Sequence, residues 1–505
     1  MKSAHAKPTW RRGPVAGLIV LLLAFPATAQ FETTETGQDG AEAIRKGITD
    51  YLAQFASSLP DDISLVLQGP VDVTVEDQTY AAAVPELALR NEDGEDRYEL
   101  TLGPTLSTIT PLGDNRLAAT MTLSEELLGQ RNGSPAFSVK WLNRAADVTL
   151  HTAFGFFETA DIVLEDVRVT DAETSYDAAR IGQVALAADV DDPAADRIDG
   201  SFNLSVEDVT FIDAFRGPVL TIGGAQFDVE GRETDVSRYP EMQALFEDLQ
   251  AREIGSNPLS EREARTIADQ LISFIDIADG FSETIAINDF NVETDQGPGG
   301  FDFAGAGLSL DGLTSDDVRF GMNADVLASY LPIAGPYEII VPTRARSDLA
   351  VGQIPMPLFR DVVEEIIVGM LTDATSAEMG DQLDDHLSRF MASDAVLDIN
   401  AIIIEFSDSA IFSEGQFQVD KSARYKATGN VAVRLVGMEN LIDKVRSLPD
   451  EGPQIAAFLA IIQAMGAQEE GANGLGVRRY ELELTADGTA LLNGADIGPI
   501  LDQFF

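Results

Sequence analysis

The sequence predicts an α+β protein built on a long, curved antiparallel β-sheet meander, with helix pairs inserted between strand blocks. Three observations carry that expectation. Apolar and polar residues alternate over many short runs, the period of two that half-buried strands require. Asp-Gly, Asn-Gly and Pro interrupt these runs, as turns between neighbouring strands do. Between the blocks the apolar spacing changes to three and four, the period of a helix face.

Taken in order, Ile44, Ile48, Leu52 and Phe55 predict a helix that stops before Pro60. Val71, Val73 and Val75 predict a strand, as do Tyr98, Leu100 and Leu102, and then Leu117, Ala119, Met121 and Leu123. Phe202, Leu204 and Val206 repeat the pattern, followed much later by Val431, Val433 and Leu435. Tyr480, Leu482 and Leu484 end the series, with Asp487-Gly488 as a tight hairpin turn. Helix pairs are expected over 238–254 and 260–278, 357–371 and 376–391, and 438–448 and 453–467. Ser260 caps the second of these helices, and Glu263 completes a capping box. The expected division is a leader over 1–29, a strand-rich unit over 30–283 ending in a helix pair, and a unit over 284–505 in which strand blocks alternate with helix pairs.

One local pattern repeats. Residues 162–169 (IVLEDVRV), 204–211 (LSVEDVTF) and 285–292 (IAINDFNV) share the order apolar-x-apolar-acid or Asn-Asp-apolar-x-apolar. Residues 73–80 are a fainter fourth copy. The apolar positions before and after the doublet differ in parity, so a regular strand would point them at opposite faces. An extra residue at the doublet, a β-bulge, would restore one apolar face and add twist. Calcium binding is the weaker account, because such a site needs several oxygens converging from one loop.

The N-terminus reads as a cleaved secretory signal. Lys2, Lys7, Arg11 and Arg12 precede an apolar run over 15–25, and Ala27-Thr28-Ala29 supplies a small-x-small site, with the cut after Ala29. That run is about half the ~20 apolar residues of a membrane span, and no second run of spanning length follows. The expected compartment is therefore the periplasm. The absence of cysteine removes disulfides, thiolate metal sites and lipidation at the cut as options. A formal net charge of −50 repels nucleic acid, which is not expected as a partner.

Catalytic chemistry is not indicated. No Gly-x-Ser-x-Gly elbow and no phosphate-cradling loop occurs. His151 has no second ligand near it in sequence, and Asp384, Asp385 and His386 would point three ways around a helix. The glycine-rich stretch 299–307 lacks the Lys-Ser/Thr ending of a phosphate loop and is expected to be a twisted strand edge or a turn. No catalytic residue, metal ligand or cofactor site is assigned.

The repeated acidic doublets, the segment 320–327 leading to Leu331-Pro332, and the tail 480–488 followed by Leu492-Asn493-Gly494 resemble a family of exported bacterial proteins, the domain of unknown function 2125 family. More distantly the texture is similar to AsmA-like envelope proteins, and that resemblance implies long curved sheets with apolar grooves for lipid. This chain departs from the latter in lacking an N-terminal membrane anchor. The leading expectation is a non-enzymatic periplasmic protein whose concave apolar face is either packed by the helices or open to a hydrophobic ligand such as a lipid. Val73, Val75, Leu164, Leu204, Val206, Ile287, Val431 and Val433 are the candidates for that face. The alternatives are an envelope scaffold that binds another protein through helix stripes at Val362, Ile366 and Ile367, and a hydrolase without a recognisable motif.

Overall fold

The computed structural model describes residues 37–59, 62–91, 97–142, 145–152, 156–191, 197–251, 259–295, 297–330, 341–372, 386, 388–391, 393–449, 452–469 and 476–498. The expected leader, and most of the helix expected over 376–391, lie outside them. The fold class is α+β, long curved antiparallel sheet with helices between strand blocks. Two compact units divide the chain, Met1–Pro193 and Ala194–Phe505.

In the first unit, helix α1 (Gln38–Ser58) precedes two strand ladders. One runs β1 (Ile63–Leu67), β4 (Leu87–Asn91), β5 (Tyr98–Leu102), β8 (Glu126–Arg131) and β9 (Ser134–Lys140). The other runs β2 (Asp72–Glu76), β3 (Thr79–Val84), β6 (Thr105–Gly113), β7 (Arg116–Thr122) and β10 (Ala145–His151). Both end on the long strand β11 (Phe156–Asp171), whose first half pairs with β10 and whose last residues pair with β9. β12 (Asp177–Asp191) takes its opposite edge. The apolar stripe of α1 fills the space between the ladders. Ile44, Ile48 and Leu52 are buried among Val73, Tyr80 and Val84 of one ladder and Leu87, Leu102 and Leu127 of the other. Burying each such side chain stabilises the fold by about 1.5–3 kcal/mol. Arg45 also donates from Nη2 to the Val73 carbonyl at 3.1 Å, tying α1 to β2.

The second unit is an open antiparallel sheet in the order β13 (Arg197–Asp213), β14 (Gly217–Asp235), β15 (Gly280–Thr294), β16 (Gly297–Asp311), β17 (Asp317–Leu327), β18 (Arg344–Pro355), β19 (Val396–Glu405), β20 (Ala410–Val419), β21 (Ala427–Val436) and β23 (Val477–Leu484). Short strands β22 (Ala467–Glu469) and β24 (Ala490–Leu492) share the far edge of β23, and β25 (Ala495–Asp496) pairs with β24. Helices α2 (Tyr239–Ala251) and α3 (Glu261–Ile272) intervene between β14 and β15, and α4 (Met356–Thr372) follows β18. Helices α5 (Met438–Arg446) and α6 (Gly452–Met465) follow β21.

The unit boundary falls between 193 and 194, not at 283. β14 and β15 are paired neighbours, so the helices between them are an insertion within one sheet and not the end of a unit. The Ser260 capping box is present, with the Ser260 hydroxyl accepting from the Glu263 backbone and Glu263 reaching back to the Ser260 amide. Arg265 of α3 then bridges Glu364 and Glu365 of α4 at 3.0 Å each, fastening the two helices. Its guanidinium is held above the ordinary range by the hydrogen bond it donates to Glu365, against the opposing effect of burial, with Glu364 adding to the rise.

The acidic doublets are kinks, and they differ from the expected bulge in one respect. Asp166, Asp208 and Asp289 all take left-handed backbone, with φ of 48°, 53° and 50°. Pairing continues across each without an added residue: Glu165 faces Gln183 and Val167 faces Ile181, Glu207 faces Gly224 and Val209 faces Ile222, Asn288 faces Phe303 and Phe290 faces Phe301. The apolar parity nevertheless switches, because Leu164 and Val167 are both in the first core while Glu165 is exposed. A left-handed residue turns the strand by itself, and Asp tolerates that conformation better than most residues. Asp77 is also left-handed, at φ 50°, but it forms the turn of the β2–β3 hairpin, where Glu76 pairs with Thr79. The fourth copy is therefore a turn and not a strand kink.

The stretch 299–307 is neither an edge nor a turn. It lies in β16, paired on one side with β15, while on the other side Phe303 to Gly307 pair with β17 and Gly300 bridges Tyr330. A side chain at Gly300 would collide with the Phe290 carbonyl and the Tyr330 ring, and one at Gly305 would meet the Phe303 ring at 2.7 Å. Close approach of neighbours demands these glycines.

A candidate apolar face on the second unit

The eight predicted face residues do not converge on one site. Val73 and Leu164 are buried in the first unit's core with α1, and Val75 packs against the same cluster. They are filled core. The other five belong to the second unit, where the strand register brings them onto one face.

Directly paired residues of neighbouring strands point to the same side of a sheet. Leu204 pairs with Phe227, Phe227 with Ile285, Ile285 with Ala306, and Ala306 with Ala324. From Ala324 the row continues through Ser347, Ile402 and Ser413 to Val433. The next row along the strands contains Val206, Ala225, Ile287, Ala304 and Val326. On the other side lies a row of Leu308, Met322, Leu349, Ile399, Gly415 and Val431. The opposite face of the same strands carries Asn203, Asp228, Thr284, Asn323 and Asp348, with Gly305, Gly307 and Gly321 among them.

Among the described residues, helices cover this face at two places. Met356 and Phe359 of α4 pack with Leu310, Val318 and Ile354. Leu441, Ile442 and Val445 of α5, with Ala456 and Leu459 of α6, pack on Ile411, Val433, Leu435 and Tyr480. Val433 is thereby covered. Between these places the face is open: Ile285, Leu308 and Met322 are 51 %, 49 % and 46 % exposed. Leu308 and Met322 are direct partners, and Ile285 lies one row away, so the exposure is contiguous and not scattered. Leu204, Val206, Ile287 and Val431 are half-buried around it.

The centre of the face lies outside the eight residues predicted from the sequence. The pattern Ala304-Gly305-Ala306-Gly307-Leu308 has a period of two, with glycine in place of the polar residues. Its alternation marks an inner strand, whereas its glycine content suggests a twisted strand edge or a turn.

Polar pairs brace the surroundings. Asp325 receives two hydrogen bonds from Arg344, at 3.3 Å from Nε and 2.8 Å from Nη2. Asp398 is held below the usual carboxylate range by the hydrogen bond from Gln416 and then by Arg319, outweighing its partial burial. In the first unit, Glu158 is 2 % exposed and paired with Arg116, whose Nε lies 2.8 and 2.7 Å from its two oxygens. Burial pulls the neighbouring His151 below its ordinary value. This cluster is one carboxylate, one guanidinium and one imidazole. Among the described residues no group of three His, Asp or Glu side chains converges on a point where a metal ion could sit. No described helix is long and apolar enough to cross a membrane.

Residues 345–500, roughly a third of the chain, match the model of a family described as an uncharacterized protein conserved in bacteria (DUF2125). The matched region runs from β18 to the last described strand, so it includes α4, α5, α6 and the covered end of the apolar face. No curated protein and no solved structure matches the chain.

Proposed function

We propose that the second unit binds an elongated hydrophobic molecule, of the acyl-chain class found in lipids, on the open part of its apolar face. The observation that carries this reading is the contiguous exposure of Ile285, Leu308 and Met322 within rows of paired apolar residues. Isolated exposed apolar side chains are ordinary, but a connected patch framed by covered ones marks a binding surface. Covering the three half-exposed side chains would contribute on the order of 1 kcal/mol each, and each buried methylene of the ligand about 0.8 kcal/mol. The protein in this reading is a periplasmic binding protein without catalytic activity, exported by the N-terminal signal read from the sequence.

The test is titration with a fluorescent long-chain fatty acid, beside native mass spectrometry of the purified protein for a co-purifying amphiphile. Leu308→Asp with Met322→Asp should abolish binding, while Asn323→Ala, on the opposite face, should leave it unchanged. Saturable binding that survives the double substitution, or no binding by the parent chain, would overturn the proposal.

A further inference from the structure

One end of the apolar face lies beneath a helix of unusual composition. α6 has no charged residue in its 14 positions, in a chain that is 23 % charged. Its inner side packs through Ala456, Leu459, Ala460 and Ile462. Its outer side presents Ile455, Phe458, Ile461 and Met465, spaced three, three and four apart and all exposed, Phe458 and Ile461 by 62 % each. A second apolar feature stands at the tip of the β13–β14 hairpin, where Phe215 is 98 % exposed. The tip has a defined shape, because the backbone N–H groups of Phe215 and Arg216 both donate to Asp213 Oδ1 at 2.9 Å.

The register places both features at the same end of the strands. Gly217 begins β14 beside the end of β15, and Thr294 pairs with Gly297. Leu327 pairs with Arg344, Arg344 with Glu405, Ala410 with Val436, and Val436 leads into α5 and α6. The turn at the opposite strand end, between β20 and β21, is polar, with Asp420 accepting from Ser422.

We infer that this strand end rests on a lipid surface, with α6 lying in the plane of the interface and Phe215 inserting separately, across the intervening strands. Fourteen residues extend about 21 Å, short of the ~30 Å of a bilayer core, so α6 can lie in a membrane surface but not cross it. A protein partner is the poorer occupant. A stable protein interface buries about 800 Å² on each side, more than one outer face of a four-turn helix offers. A bilayer needs no shape complement. The net charge of −50 selects zwitterionic over anionic lipid. The purpose of such a contact, moving a hydrophobic molecule between membrane and sheet, rests on the binding proposed above; the contact itself does not.

The chain has no cysteine, so a single introduced thiol carries a unique label. Full-length Phe458→Cys, Phe215→Cys and Ser422→Cys, each labelled with a polarity-sensitive fluorophore, are mixed with phosphatidylcholine vesicles. The labels at 458 and 215 should shift to the blue and be quenched by nitroxide-bearing lipid, and the label at 422 should do neither. No shift at 458, an equal shift at 422, or a shift at 458 that follows protein concentration without vesicles would overturn the inference, the last by showing self-association. Fatty-acid titration of the Leu308 and Met322 variants reads the open face separately, so each idea can fail alone.

Discussion

Gly223 offers the sharpest test of how the kinks are built. By register it faces Asp208 on one side and Asp289 on the other, and both aspartates are left-handed. A Cβ at Gly223 would lie 2.8 Å from the Asp289 Cβ and 2.8 Å from its Oδ2. The Cβ of Asp289 is fixed by a backbone at φ 50° and cannot swing aside as the end of a flexible chain would. Gly223→Ala should therefore destabilise the second unit by about 1–3 kcal/mol, the usual range for overpacking. Asp289→Gly removes the opposing atom and relieves about 1 kcal/mol of left-handed strain, against a similar loss from added chain entropy, so alone it should be nearly neutral. In that background Gly223→Ala should lose most of its penalty, giving a coupling of about 1–2 kcal/mol. Thermal unfolding followed by circular dichroism would show a fall of about 2–5 °C for the single alanine variant and little for the double. Equal falls in both backgrounds would refute the claim that the glycine makes room for the kink, and no fall in either would refute the geometry itself.

Three further outcomes follow from ion pairs. Arg116→Met leaves Glu158 buried without its guanidinium and should lower stability by about 2–4 kcal/mol, toward the range for breaking a buried pair; a thermal shift no larger than that of a surface Arg→Met control would refute it. Arg265→Met removes the bridge from α3 to Glu364 and Glu365 and should weaken their docking by about 1 kcal/mol, read as faster amide exchange in α3 at low salt and a smaller difference at high salt; uniform exchange would refute it. Asp398 is held below its unfolded value, so its contribution is present above about pH 4 and is lost as the pH falls through its lower folded value; Asp398→Asn should flatten that part of the acid-unfolding profile, and an unchanged profile would refute the assignment.

Much of this architecture is legible in the residues, and the exceptions have a common cause. The helix at Ile44, Ile48 and Leu52, the strand at Tyr98, Leu100 and Leu102, and the capping box at Ser260 and Glu263 each rest on contacts within a few residues, which a linear pattern records. The misreadings concern neighbours distant in sequence. Gly300 is glycine because of Phe290 and Tyr330, and the unit boundary depends on β14 pairing with β15 across the inserted helices. Val73 and Leu164 alternate like Leu204 and Val206, yet α1 covers the first pair and no pattern in the strands themselves announces the helix. The chemistry of a face is readable from alternation. Whether it is covered is decided elsewhere in the chain.

The kinks explain how the second unit keeps one apolar face over strands as long as 15 to 19 residues. Before the kink the face is made by Leu204, Phe227 and Ile285, and beyond it by Val209, Ile222 and Phe290, whose positions have opposite parity. Without the switch, the second set would point to the polar side. Asp208, Gly223, Asp289 and Asp302 lie opposite one another across four strands, so the switch occurs along one line and the rows on either side stay in register. Phe290 and Phe301 stack at 5.0 Å just beyond it, which keeps the face continuous where the strands turn. An insertion at each doublet would have displaced every later pair by one residue and broken those rows. A left-handed aspartate changes the side on which residues emerge and leaves the pairing alone. That is why three separate strands carry the same doublet at the point where their apolar parity reverses.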